Sequence, residues 1–104
     1  MLHMYRVGSV LVTQLVISER DIERRLVAKA KAAGGQALKW VSPGQAGVPD
    51  RIVLLPNGRV IFVELKSPRG KLSAIQVRVI ERLRNLGFDV RVIDSKEGVD
   101  ALFA

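Results

Sequence analysis

A tight turn between two strongly apolar runs constrains the fold more than any other feature of this sequence. Residues Arg51–Leu55 and Arg59–Leu65 are rich in Val, Ile, Leu and Phe, a composition that favours β-strands. Pro56-Asn57-Gly58 separates the two runs. A three-residue hairpin loop is usually a type I turn followed by a residue in the left-handed region, which suits glycine. The sequence therefore predicts a β-hairpin closed by a type I turn.

The length of this loop sets the register of the hairpin. With three residues in the loop, Asp50 lies opposite Glu64, and directly opposed residues on one face have Cβ atoms roughly 4.5–5.5 Å apart. Lys66 follows two residues after Glu64 and therefore lies on the same face. Two facing carboxylates beside a lysine suggest a divalent metal and phosphodiester cleavage. A two-residue loop would place Asp50 opposite Leu65, so this prediction depends on the turn.

Composition narrows the chemistry that such a site can use. The 104 residues include no cysteine and one histidine, His3, which excludes disulfides, thiolate zinc sites, a cysteine nucleophile and a histidine cluster within one chain. A metal site built from carboxylates favours Mg²⁺ or Mn²⁺. The net charge of +7 favours a nucleic-acid partner, although solvated surface charge explains it equally well.

Residues 1–17 form an apolar, β-branched run before the rest of the pattern. The run is too short and interrupted for a membrane span, which needs about 20 apolar residues, and it lacks the cleavage site of a clear signal peptide. An extra strand, a dimerisation arm and a loosely held extension all stay open. We expect one compact domain over residues 18–104, no membrane association and a cytoplasmic location.

Helices are predicted on both sides of the hairpin. Ser18 with Asp21, and Ser73 with Gln76, have the spacing of capping boxes. The apolar positions expected to face the core are Ile22, Leu26, Ala30 and Ala33 in the first helix, and Ile80, Leu83 and Leu86 in the second.

Further strands are predicted at Gln36–Val41 and Phe88–Ile93, followed by a short helix capped by Asp94 or Ser95. The helix that joins the second hairpin strand to the last strand implies parallel neighbours and a right-handed connection. The predicted fold is therefore an α/β single domain, a mixed sheet flanked by helices.

The order of these pieces resembles the VRR-NUC branch of the PD-(D/E)XK nuclease superfamily, over roughly residues 18–104. The matching segments are Glu19 or Glu23 on the first helix, Gly47-Val48-Pro49-Asp50, Glu64-Leu65-Lys66, and the entry to the next helix at Lys71–Gln76. The resemblance implies a restriction-endonuclease-like fold and a metal-dependent DNA endonuclease. Stand-alone members occur in phages and bacteria. A phage-encoded member would be located in the host cytoplasm. They resemble Holliday junction resolvases and are expected to be homodimers.

The resemblance also implies roles for individual residues. Asp50 and Glu64 would hold Mg²⁺ or Mn²⁺, with the Leu65 carbonyl and a helix acid as further ligands, and Lys66 would position the attacking water or stabilise the transition state. Spacing from the helix start favours Glu19 as that acid, whereas spacing back from Gly34 favours Glu23. Gln76 matches a glutamine that follows the nuclease motif, although helix capping explains it equally well.

A rim of basic residues is expected to bind the phosphates of branched or four-way-junction DNA. Its members are Arg51, Lys66, Arg69, Lys71, Arg78, Arg82 and Arg84. Tyr5 and Trp40 could stack on bases, although Trp40 is better explained by packing. Two alternatives stay open, namely a non-catalytic nucleic-acid-binding module on the same fold and a restriction-like nuclease.

Overall fold

The fold is taken from a computed structural model that describes residues 17–104 in full and residues 2–7 and 10–15 by their backbone. The strands β1 (Leu2–Val7) and β2 (Val10–Leu15) pair antiparallel in a two-stranded sheet. The sequence leaves an extra strand, a dimerisation arm and a loosely held extension open for this run, and its role stays a prediction. Tyr5 lies in β1, and its predicted stacking role falls on a side chain outside the described part.

The main sheet has four strands, in the order β3-β4-β5-β6. They are β3 (Gln36–Lys39), β4 (Arg51–Leu55), β5 (Arg59–Leu65) and β6 (Asp89–Ile93). Neighbours in β3, β4 and β5 run antiparallel, while β5 and β6 run parallel. The predicted mixed sheet and its parallel pair are confirmed. The two strands can run parallel because the connection between them contains a helix.

The three helices are α1 (Glu19–Ala32), α2 (Ala74–Asn85) and α3 (Lys96–Leu102). Both predicted capping boxes are present, since Ser18 and Asp21 exchange side-chain and backbone hydrogen bonds, as do Ser73 and Gln76. Ser95 caps α3 by accepting the N–H of Gly98. Side chains of Ser, Asp and Gln thus satisfy N–H groups that a helix start leaves unpaired.

The hairpin register is confirmed, but the predicted turn type is wrong. Leu55 pairs with Arg59 and Ile52 with Phe62, as the three-residue loop requires. Asn57 lies at φ 66° and ψ 25°, and Gly58 also has a positive φ of 72°. A type I turn would keep residue 57 at negative φ. Asparagine tolerates the left-handed region, and the loop length, which sets the register, is unchanged.

The hydrophobic core lies on one face of the sheet, which we call the core face. Val53, Ile61, Val63 and Leu65 project from this face against α1 and α3. The opposite face, called here the site face, carries Glu64 and is partly covered by α2, which packs beside β6. Alternation along a strand explains the division, because neighbouring residues point to opposite faces.

Two residues predicted to face the core do not. Ala33 is exposed and Leu86 is 68% exposed. The helices end at Ala32 and Asn85, so both residues lie beyond the last helical turn and leave the apolar stripe. Val79 is buried instead in α2, next to Ile80.

The two flanking strands are shorter than predicted. The first ends at Lys39 instead of Val41, and the last begins at Asp89 instead of Phe88. The Trp40 N–H still donates to the carbonyl of Asp50 at 3.0 Å, so the pairing of β3 and β4 extends one contact further.

Candidate active site

Asp50 lies at the open end of the β4–β5 hairpin, one residue before β4. Its Oδ2 accepts the N–H of Leu65 at 2.8 Å, and its carbonyl accepts the N–H of Trp40 at 3.0 Å. Asp50 is therefore bonded to the segments on both sides of it. A carboxylate held in this way has a defined position relative to the sheet.

Gly47 explains how the chain reaches this position. It has a φ of +83°, and a Cβ at this residue would lie 3.0 Å from the backbone of Ile75 in α2. The segment therefore passes directly against the first turn of α2, where only glycine fits without strain. Pro49 follows as a fully buried residue and leads into Asp50.

Glu64 is the buried acid of the site, with 1% of its surface exposed. Its Oε2 lies 3.5 Å from Nζ of Lys66 and accepts a hydrogen bond from Nε2 of Gln76 at 3.4 Å. Its Oε1 is buried and has no hydrogen-bond partner among the described residues. Burying an unpaired carboxylate oxygen is costly, so this atom is suited to a cation.

The environment of Glu64 changes its protonation. The pKa of Glu64 is raised to about 7, mainly by burial and then by the negative charge and side-chain contact of Asp50, while Lys66 lowers it by less. Two neighbouring acids share negative charge unfavourably unless a positive group lies between them. Lys66, whose side chain is 19% exposed, offsets only part of the repulsion between the two carboxylates.

The structure places the two candidate helix acids differently. Glu23 forms an ion pair with Arg51 at 3.3 Å, and Nη1 of Arg51 donates to the carbonyl of Ala37 at 2.9 Å. Glu19 is exposed in the first turn of α1. Over residues 17–104, no three His, Asp or Glu side chains lie close enough together to hold a metal ion. A helix acid in the metal site therefore stays a prediction.

The predicted phosphate-binding residues also separate into groups. Arg51 is largely buried in its ion pair, with its side chain 12% exposed, and Arg84 donates to the carbonyl of Val90. Arg69 and Lys71 are exposed in the loop before α2. Arg78 and Arg82 are exposed on α2, so these four basic side chains are accessible to a ligand.

Arg78 and Arg82 line a groove of about 600 Å³ together with Gln45. Sequence reasoning missed Gln45, because its segment carried no motif and only the fold brings it beside α2. Trp40 packs on Phe62 with ring centroids 5.0 Å apart, as expected for a packing role.

Three comparisons place this geometry among known proteins. The sequence profile of the VRR-NUC domain matches residues 9–97. The chain belongs to the VRR-NUC domain family. A protein of Acyrthosiphon pisum secondary endosymbiont phage 1 named "Putative nuclease p44" is 50% identical over 82 residues, covering 79% of this chain and 88% of that protein. A solved structure described as "VRR_NUC domain" matches with a TM-score of 0.76 and 33% identity, covering 83% of this chain and 95% of that one.

The donor atoms of this VRR-NUC domain fit a small divalent cation. Mg²⁺ prefers oxygen ligands and is usually held by one or two carboxylates, several waters and substrate phosphate. Asp50 and the unpartnered Oε1 of Glu64 supply such oxygens side by side. In the described part of the domain, no helix is long and apolar enough to cross a membrane.

Proposed function

We propose that this nuclease domain is a DNA endonuclease that hydrolyses phosphodiester bonds with Mg²⁺ or Mn²⁺. The observation that supports it best is the buried Glu64, whose Oε1 has no partner in the described structure although Asp50 lies beside it. A charged oxygen in that position gains most from a cation. Asp50 and Glu64 would hold the cation, and the carbonyl of Leu65 and the acid of Glu19 are further proposed ligands.

The remaining side chains of the site have distinct tasks in this proposal. When bound, the cation lowers the pKa of a water molecule and neutralises charge on the phosphate. Lys66 keeps a positive charge beside Glu64 and stabilises the negative charge that develops on the phosphate oxygens. Gln76 donates to Glu64 and keeps its carboxylate in place. Glu23 is the weaker choice for the helix acid, because it is paired with Arg51.

DNA is the proposed substrate, and Arg69, Lys71, Arg78 and Arg82 are the proposed phosphate contacts. Arg69 and Lys71 are exposed just before α2, and Arg78 and Arg82 are exposed along it. Gln76, in the first turn of the same helix, reaches the site. Contacts of this kind give affinity that falls steeply with salt and depends little on sequence. A structure-selective preference for branched DNA, acting in replication, recombination or repair in a host cytoplasm, is the specific form of the proposal.

One cleavage experiment tests the proposal. Duplex, flap and four-way-junction DNA are incubated with Mg²⁺, Mn²⁺ or EDTA, with Asp50→Asn compared against the matched control Asp89→Asn at the far end of β6. We expect cleavage with metal, none in EDTA, and loss only in Asp50→Asn. DNA binding without any cleavage would favour the non-catalytic module, and cutting of one duplex sequence would favour the restriction-like alternative.

We also propose that the domain forms a homodimer through the apolar part of its site face, toward the closed end of the β4–β5 hairpin and away from Glu64. Leu38, Leu54 and Val60 project from this face and are 43%, 38% and 40% exposed. Leu86 and Phe88, at the end of α2, add 68% and 49% exposed side chains. These exposed side chains make this part of the site face apolar, whereas the core face is covered by α1 and α3.

A second copy is the occupant that this surface fits best. Neighbouring exposed apolar side chains of this kind often mark a protein–protein interface, and a standard interface buries about 800 Å² per partner. These side chains carry no charge, so the patch does not attract a polyanion. A flat apolar sheet face can pack on its own copy about a two-fold axis.

Two matched valines test the dimer. Val60 is 40% exposed on the site face and Val27 is 37% exposed on α1. We expect Val60→Lys to convert a dimer to a monomer in sedimentation velocity, and Val27→Lys to leave it intact. A monomeric wild type at micromolar concentration would contradict the proposal, as would equal effects of the two changes.

A further inference from the structure

Gln76 makes two different hydrogen bonds with the two ends of its side-chain amide. Oε1 accepts the backbone N–H of Ser73 at 2.9 Å, and Nε2 donates to Oε2 of Glu64 at 3.4 Å. Ser73 Oγ in turn accepts the backbone N–H of Gln76 at 3.2 Å. The capping box of α2 is thereby joined to the buried acid of the site.

The orientation of this amide is fixed by the backbone N–H of Ser73, and the Ser73 hydroxyl holds that N–H in place by accepting the backbone N–H of Gln76. An amide has an acceptor end and a donor end, which are not interchangeable. If the Gln76 amide were reversed, Oε1 would face the carboxylate of Glu64 and the NH₂ group would face the N–H of Ser73, and both contacts would be repulsive. The capping box therefore selects the orientation in which Gln76 donates to Glu64.

This orientation assigns different tasks to the two oxygens of Glu64. Oε2 is held by Gln76 and lies 3.5 Å from Lys66, whereas Oε1 keeps no partner among the described residues. We infer that Ser73 is a positioning residue of the metal site, which orients Gln76 so that Glu64 presents Oε1 to a cation. The inference rests on the proposed metal-dependent function.

The chain contains its own matched control for this role. Ser18 and Asp21 form the same kind of capping box at the start of α1, with the Ser18 N–H donating to Asp21 at 2.9 Å. The Asp21 carboxylate bonds back to Ser18 instead of reaching Glu64. Loss of either serine hydroxyl weakens a helix start, but only Ser73 connects to the site.

The test is a double-mutant cycle on Mn²⁺ affinity, measured by titration calorimetry with the metal alone, with DNA cleavage as a second readout. The variants are Ser73→Ala, Gln76→Met, the double variant, Ser18→Ala and Ser73→Thr. Methionine matches the length of glutamine and suits a helix, but lacks both amide contacts. We expect Gln76→Met to weaken Mn²⁺ binding about tenfold, as for other residues that orient a metal ligand.

The expected pattern separates positioning from general stability. Ser73→Ala keeps the backbone N–H that meets Gln76 but loses the hydroxyl that holds it in place. Mn²⁺ binding should therefore weaken about fivefold, the fold-change expected when the full effect of a typical N-cap is felt at Gln76. The double variant should match Gln76→Met alone, because Ser73 acts through Gln76. Ser73→Thr should restore affinity, and Ser18→Ala should stay within about twofold of wild type despite a similar fall in melting temperature.

Two results would overturn the inference. One is a loss of Mn²⁺ affinity in the double variant that equals the product of the losses in Ser73→Ala and Gln76→Met. The other is a loss of Mn²⁺ affinity in Ser18→Ala as large as that in Ser73→Ala. A wild type that binds Mn²⁺ but cuts no DNA would instead contradict the proposed nuclease function, while the affinity cycle would still decide the role of Ser73.

Discussion

The two faces of the β4–β5 hairpin bury opposite kinds of side chain. Val63 is fully buried on the core face, and the next residue along β5, Glu64, is 1% exposed on the site face. Burying an apolar side chain such as valine contributes about 1.5–3 kcal/mol, whereas a buried carboxylate with an unpaired oxygen opposes folding. One strand thus stabilises the fold with one residue and reduces its stability with the next.

The same contrast separates two buried or half-buried acids. Glu23, on α1, lies 3.3 Å from the guanidinium of Arg51, which also donates a hydrogen bond to the Ala37 carbonyl. Among the described residues, Glu64 has Lys66 and Gln76 at one oxygen only. The first arrangement is satisfied within the fold, whereas the second becomes complete only with a ligand. Incomplete pairing, more than burial itself, therefore distinguishes a candidate site from a structural acid.

The largest expected effect comes from removing the charge of Glu64. Glu64→Gln keeps the shape of the side chain but weakens cation binding, so we expect DNA cleavage to fall by about 100-fold or more. The matched change Glu97→Gln, at an exposed acid of α3, should leave cleavage unchanged. Single-turnover cleavage with Mg²⁺ measures both. Retained activity in Glu64→Gln would remove the distinction between the two kinds of acid.

Two valines of β5 compare the faces directly. Val63 is 0% exposed and Val60 is 40% exposed. Val63→Ala should lower the free energy of unfolding by about 2–3 kcal/mol, through lost burial and the cavity left behind, and Val60→Ala by less than about 1 kcal/mol. Urea denaturation at two protein concentrations gives both values and separates any contribution from dimerisation. Equal losses would mean that the site face is also part of the core.

These contrasts show which features local sequence rules could predict. Loop length alone set the register that brings Asp50 beside Glu64, and short-range spacing set both capping boxes. Each depends on residues within a few positions of one another. The turn type failed for the same reason, since Asn57 can adopt either backbone region and the rest of the hairpin decides between them.

Features that join distant elements could not be predicted. The Arg51–Glu23 pair connects residues 28 positions apart and depends on how α1 crosses the sheet. The missing partner of Glu64 Oε1 depends on every group around it, so no spacing rule expresses it. The sequence could therefore name the acids, but only the packing separates the paired acid from the incomplete one.

The pH dependence of stability should also distinguish Glu64. Burial and the neighbouring Asp50 together raise the pKa of Glu64 from 4.5 to about 7, so the native state binds a proton more tightly than the unfolded chain. Stability should therefore fall as pH rises through the window 4.5–7, by about 3 kcal/mol, and then level off. Chemical denaturation in EDTA at pH 5, 6, 7 and 8 measures this slope.

Glu64→Gln should remove most of that slope, and saturating Mg²⁺ at pH 8 should stabilise the wild type but not the variant. Asp100 does not interfere, because a hydrogen bond from Arg25 holds the pKa of Asp100 at about 2 and its contribution is lost only as pH falls below this window. An unchanged slope in Glu64→Gln would show that another group carries the dependence.

The smallest expected effect belongs to the paired acid on α1. Glu23→Gln weakens a half-buried ion pair whose arginine keeps its bond to Ala37, so we expect a loss of about 1 kcal/mol in the free energy of unfolding. A double-mutant cycle with Arg51→Met measures the coupling between the two side chains.

The same variant decides between the two candidate helix acids. If Glu23 serves the fold through Arg51, Glu23→Gln should keep the rate of cleavage within about threefold of wild type. Glu19→Gln should reduce the rate of cleavage more. A large loss of cleavage in Glu23→Gln with little loss of stability would make Glu23 the functional acid. Glu23 would then leave Arg51 when it enters the site. In that case incomplete pairing would no longer distinguish a functional acid from a structural one.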